Sequence, residues 1–111
     1  MDALDKATDA AEGAADLSPK GAQSLLKSLG STVGTKADLA LLVADMRHPA
    51  LRGRAALWRA RVERALSVRL GGGSKAHEAA ALLFAAWQGQ ILWTDTGDKG
   101  FRLRDAVKRL T

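Results

Sequence analysis

The sequence predicts an all-α fold, and three observations carry that prediction. Apolar residues recur at i, i+3, i+4 and i+7 in one segment after another, and no stretch alternates as a half-buried strand does. Proline and glycine fall where those segments start and stop. The run KAHEAAALLFAAWQGQILWT (75–94) is alanine-rich and holds no charge between Glu78 and Asp95. Alanine is the best helix former, so this long run reads as a helix. The expected architecture is a bundle of five helices within a single domain at 19–111. It is preceded by an acidic, alanine-rich segment at 1–18.

That first segment has only Leu4 and Leu17 as sizeable apolar groups, and reads as a weak helix or a frayed terminus. Ser18-Pro19 then reads as an N-cap with proline at the first helical position. Ala22, Leu25, Leu26 and Leu29 form one apolar stripe, and Gly30 is placed to stop the helix before a loop at 30–34. Thr35 and Asp38 have capping-box spacing. Leu39, Leu42, Val43 and Met46 repeat the stripe in the following helix, which ends at Arg47 because the residue before Pro49 disfavours helical geometry. A helix at about 50–70 aligns Leu51, Ala55, Trp58, Val62, Ala65 and Leu66.

Gly-Gly-Gly-Ser (71–74) breaks the chain, and Ser74 is positioned to cap the uncharged helix. That helix carries large apolar groups on more than one face, so one face needs a cover beyond its own chain. A second copy is the expected cover. The run is too short and too rich in alanine for a membrane span, which takes about 20 predominantly apolar residues. After a turn at 94–100, Leu103, Ala106, Val107 and Leu110 give the last stripe.

Composition excludes several functions. With no cysteine there is no disulfide, no thiolate zinc site and no thiol nucleophile, which suits a cytoplasmic protein. The first residues are acidic and lack the apolar segment of a signal peptide. The two histidines, His48 and His77, have no metal-ligand spacing, and no serine has a nucleophile-elbow context. His48, before the proline, suits a capping role. Gly-Ser-Lys (73–75) reads as a linker before it reads as an anion site. The chain is therefore expected to be no enzyme, with no cofactor, no metal and no membrane partner.

Charge is unevenly spread. Residues 1–18 hold five acids against Lys6, whereas 47–69 hold seven arginines against Glu63. The arginine stripe reads as a solvated face, with nucleic acid or an acidic partner as the alternatives.

Two stretches, ADLALLVADMRHPALRGRAALWRARVERAL (37–66) and HEAAALLFAAWQGQILWTDTGDKGFRLRDAVKRL (77–110), carry a family pattern. A helix ends in an HPALR-like turn (Asp45 to Arg52), and an arginine-rich helix follows. Then come an alanine-rich helix with Gln88-Gly89 (Ala80 to Leu92), a Thr96-Gly97-Asp98 turn and a final helix from Arg104 to Leu110. In this the chain resembles the C-terminal effector-binding and dimerisation domain of TetR-type transcriptional regulators. The three-helix DNA-binding head of that family has no counterpart here. There is no tyrosine, and both phenylalanines (84 and 101) lie far from the start. The acidic first residues would repel phosphates, so no direct DNA binding is expected from these residues.

The resemblance implies a pocket between the central helix and those before it. The residues expected to line it are Met46, Trp58, Val62, Leu83, Trp87, Gln90 and Ile91, with a small apolar or amphipathic molecule as the effector. It also implies a homodimer in which the last two helices pair with a second chain as a four-helix bundle. The interface expected on that basis comprises Ala81, Phe84, Ala85, Gln88, Gly89 and Leu92, together with Phe101, Leu103, Val107 and Leu110. Ala81, Ala85 and Gly89 recur at i, i+4 and i+8, a small-residue face that lets helices approach. The competing reading is a stand-alone helical homodimeric interaction protein with no small-molecule role. A cavity beside Trp58 and Trp87 is the feature that separates the two.

Overall fold

A computed structural model describes residues 2–97 and 100–111, and among them there is no strand. Six α-helices follow in order: α1 (Asp2–Ala14), α2 (Pro19–Val33), α3 (Lys36–Asp45), α4 (Pro49–Arg69), α5 (Gly73–Leu92) and α6 (Leu103–Arg109). A single 3₁₀ turn, Thr94–Thr96, follows α5. No described helix is long and apolar enough to cross a membrane.

Local chemistry sets most of the boundaries. Ser18 caps α2 by accepting from the Gly21 N–H at 3.2 Å, with Pro19 in the first turn. Thr35 and Asp38 form the full capping box of α3: Thr35 Oγ1 accepts from the Asp38 N–H and the Asp38 carboxylate accepts from the Thr35 N–H, both at 3.1 Å. Three expectations fail. Gly30 does not stop α2, which runs on to Val33, because glycine in αR geometry near a helix end costs little. Ser74 caps nothing: the N-cap of α5 is Gly72, two residues earlier, and His48 sits at the start of α4 without a side-chain cap bond. The turn at Gly71–Gly73 holds φ at 107°, 72° and 83°, a left-handed course that only glycine follows without strain.

The innermost helix is α2. Its predicted stripe, Ala22, Leu25, Leu26 and Leu29, is completely buried where α2 meets α1, α4 and α6. α4 and α5, joined by the glycine turn, pack along each other through Ala55, Trp58, Val62, Ala65 and Leu66 on one side and Ala76, Ala79, Ala80, Leu83, Phe84 and Trp87 on the other. Phe84 is wedged between the two tryptophans, 5.6 Å from the Trp58 ring in edge contact and 5.9 Å from Trp87.

The N-terminal segment is a helix of the same core, with Ala11 inside the central apolar cluster and Leu4, Ala7 and Ala15 packed against it. It also meets the arginine helix. Arg61 pairs with Asp9 and with Glu12 (3.1 Å), and Arg54 lies 3.9 Å from Asp5. Hydrogen bonding to Asp9, and then to Glu12, raises the Arg61 pKa above the ordinary arginine value against the opposing effect of burial. The buried Arg69 donates to the carbonyls of Ala65, Glu12 and Ala15 at 2.9, 3.2 and 3.1 Å. An acidic partner for part of the arginine stripe is thus supplied by the chain itself.

α3 departs most from its pattern. None of its residues is buried, and Val43 and Met46, expected on its inner stripe, face solvent along with Leu41. Leu39 and Leu42 remain half-buried toward the rest of the fold.

Candidate functional site

The gap between α3 and the body of the molecule is a cleft of about 180 Å³. Leu39, Leu41 and Leu42 line it from α3, with Thr35, Asp38 and Asp45; Trp58 comes from α4, Trp87, Gln88 and Ile91 from α5, and Ala3 and Leu4 from α1. The volume is near the ~150 Å³ of an apolar cavity that binds benzene, so a single ring fits. A second cleft, about 440 Å³, shares Trp87 and Ile91 and continues over Gln90, Thr94, Gly97, Phe101, Arg102 and Leu103.

The walls of the first cleft are built from buried rings on one side and from half-buried leucines on the other. The Trp58 indole N–H donates to the Thr8 hydroxyl at 2.8 Å, which fixes the ring against α1. Trp87 is held by Phe84. The α3 wall has the cap at its N-terminus and the Lys36–Asp95 ion pair, but no buried side chain.

Of the residues expected to line a pocket, Trp58, Trp87 and Ile91 meet in this cleft. Gln90 lines the second one, where its amide donates to the Phe101 carbonyl at 2.6 Å. Val62 and Leu83 do not reach either cleft: both are fully buried between α4 and α5, where an aliphatic stripe packs rather than lines a cavity. Met46 caps the C-terminus of α3 and projects outward. Asp38, Leu39, Leu42, Asp45 and Gln88 were not anticipated. The one sequence signal for Gln88 was its place as an amide inside a charge-free run.

The expected dimer face divides in the same way. Glu78, Leu82, Ala85, Ala86, Leu92 and Trp93 are exposed along one side of α5, with Gly89 half-buried among them. Leu82 is 62% exposed, Leu92 57% and Trp93 63%, a large uncovered apolar area. Ala81 and Gln88 are half-buried at its border. Phe84, in contrast, is fully used between Trp58 and Trp87, and Val107 is buried in the core cluster. Leu103 and Leu110 pack against the same cluster, and Phe101 is half-buried beside Gln90. The seven-residue α6 therefore turns its apolar side inward, toward α2, because α2 offers an apolar surface of its own there. Asp98 of the expected Thr-Gly-Asp turn lies outside the described residues.

Among the described residues, no three His, Asp or Glu side chains gather where they would share a metal. No protein-family model, no curated protein and no solved structure matches the chain.

Proposed function

We propose that the chain is an effector-binding and dimerisation domain of the kind that TetR-type regulators carry C-terminal to their DNA-binding head. The observation that carries the reading is the ring-sized cleft bounded by Trp58, Trp87 and Ile91. Clefts with mostly apolar walls and a few polar groups are the usual form of a small-molecule site. The effector class this favours is a small apolar or amphipathic molecule.

The mechanism is a population shift. α3 has no buried residue, so its position against α4 and α5 depends on what fills the cleft. A ligand that touches both walls stabilises one placement of α3 by its difference in affinity between placements. α5 contributes Trp87, Gln88 and Ile91 to the cleft and the exposed Leu82, Ala85, Leu92 and Trp93 to the face proposed to meet a second copy. One rigid helix thereby links effector and subunit arrangement, and an attached DNA-binding head reads that arrangement out.

The exposed α5 face also supports a second reading, an interaction module that pairs with itself and takes no small molecule. Sedimentation and native mass spectrometry of the same purified sample separate the two. The expected result is a dimer carrying co-purified small-molecule mass. A dimer without added mass, which also fails to bind single-ring compounds in solution, favours the interaction module. A monomer overturns the subunit pairing on which the coupling depends.

A further inference from the structure

The cleft that would hold the effector has a sign. Among the described residues its only ionisable lining groups are Asp38 and Asp45, in a chain whose net charge is +5. No described lysine, arginine or histidine lines it. The two carboxylates are not equivalent. Asp38 stands in the first turn of α3, where the helix dipole favours a negative charge, and its carboxylate serves the Thr35 cap. Asp45 is the last residue of α3, where the dipole disfavours an acid, and the last turn of that helix holds no basic residue. Among the described residues the half-buried Asp45 carboxylate has no hydrogen-bond or ion-pair partner, although arginines 47 and 52 are close in sequence. Arg52 is engaged elsewhere, its Nε donating to the Met46 carbonyl at 2.8 Å.

An acid at the unfavourable end of its helix, unpaired and at the edge of an apolar cleft, leaves negative potential facing that cleft. The carbonyls at the C-terminus of α3 add to it. Trp58 and Trp87 supply the remaining element, since the face of an indole attracts a cation more strongly than that of any other side chain.

We infer that the cleft selects an organic cation bearing one ring, an aryl-alkyl ammonium or a comparable amphiphile, with the ring between Trp58, Trp87 and Leu42 and the charge toward Asp45. The inference rests on the effector-binding reading and gives it a chemical class. The neutral Gln88 amide at the same cleft accepts or donates without altering the sign.

Calorimetric titration with three probes of one size tests it: benzyltrimethylammonium, benzyl alcohol and benzoate. The wild-type chain is expected to bind the cation about tenfold tighter than the alcohol, with benzoate weakest. Asp45→Asn is expected to bring the cation to the level of the alcohol measured on the same variant. That substitution removes an acid from the C-terminal turn of α3 and so leaves the helix intact, which circular dichroism verifies. Equal binding of all three probes, or a cation preference that survives Asp45→Asn, overturns the charge selection and leaves the effector-binding reading standing. No binding of any probe at millimolar concentration overturns both.

Discussion

Trp58 on α4 donates its indole N–H to the hydroxyl of Thr8 on α1 across 2.8 Å, and the Thr8 hydroxyl in turn donates to the Leu4 carbonyl at 2.7 Å. Thr8 is completely buried and Trp58 nearly so, which makes this a desolvated relay. It ties an alanine-rich helix of weak apolar content to the core, and it fixes the orientation of a ring that also walls the cleft. Thr8→Val keeps the shape and leaves the indole N–H buried without a partner. The expected loss is about 1–3 kcal/mol in urea unfolding. Adding Trp58→Phe to Thr8→Val removes the orphaned donor, so the double variant should lose less than the sum of the two single losses.

Arg69 is the second anchor of α1. Among the described residues its buried guanidinium pairs with no carboxylate. It is met instead by the carbonyls of Glu12 and Ala15, at the negative end of the α1 dipole. Arg69→Met removes these bonds and leaves the carbonyls to find water. The expected cost is about 1–3 kcal/mol, concentrated locally. Hydrogen exchange should show it: α1 amides lose protection, while those of α2 and α4 keep theirs. Uniform loss across all helices would mean that Arg69 supports the whole core rather than the α1 junction.

The Arg61 cluster is more exposed, and its contribution is smaller. Asp9 lies mostly in solvent, so Arg61→Ala should cost about 0.2–1 kcal/mol per ion pair lost, and less in high salt. Its pKa is raised by Asp9 and Glu12. A raised folded-state pKa contributes stability that is complete below the unfolded value and disappears only as pH climbs through the folded one. For an arginine both values lie far to the alkaline side. Wild type and Arg61→Ala should therefore differ by a constant amount between neutral pH and mildly alkaline pH. A difference that shrinks over that interval would mean that another titrating group supplies it.

Glycine positions give a pair of opposite signs. A β-carbon at Gly21 would sit 1.8 Å from the Asp16 carbonyl oxygen, so the turn from α1 into α2 closes only around a residue without a side chain. Gly53 in α4 has nothing within 4 Å of such an atom. Gly53→Ala should stabilise by about 0.5–1 kcal/mol through helix propensity alone. Gly21→Ala should destabilise by about 1–3 kcal/mol despite the same propensity gain, because the chain must move to admit the methyl group. Thermal unfolding of the two variants beside wild type reads both signs.

What the sequence disclosed and what it hid have physical causes. Leu25, Leu26, Leu29, Val62 and Leu66 were legible because large aliphatic groups at helical spacing mark a buried face whatever lies opposite. The packing of α1, legible only as a weak helix or a frayed terminus, was not, because apart from Leu4 its inner face is built from Ala7, Thr8 and Ala11. Such residues give almost no hydrophobic signal, and polar bonds to Trp58 and Arg69 supply the attachment. The acidic segment and the arginine helix each stood out, yet charge composition does not say that Asp9 and Glu12 meet Arg61. Within the cleft, Trp58, Trp87 and Ile91 were found by residue type. Val62 and Leu83 share the periodicity of those residues but not their position at an edge, and periodicity alone does not separate core from cavity wall. The family resemblance places Phe84 on the outer face, yet one helical turn sets it beside Ala80 and Trp87, both buried.

The last prediction concerns the uncovered side of α5. Leu82 and Leu92 lie two to three helical turns apart on that side, with Ala85 and Gly89 between them and Trp93 at the end. Small residues flanked by large apolar ones allow two helices to approach closely and still bury area. Both leucines are more than half exposed, so replacing either with glutamate disturbs little within one chain. Leu82→Glu and Leu92→Glu should each keep the helical content and thermal midpoint of the isolated fold. In a two-fold pair, each would place two like charges in the interface, where they are desolvated and close. If the proposed pair forms, sedimentation equilibrium should show it dissociating in both variants, whereas Leu57→Glu, at an exposed leucine of α4, should leave it intact. A dimer that survives both α5 substitutions would move the subunit contact to another surface, and the proposal that α5 joins cleft to partner would then fail.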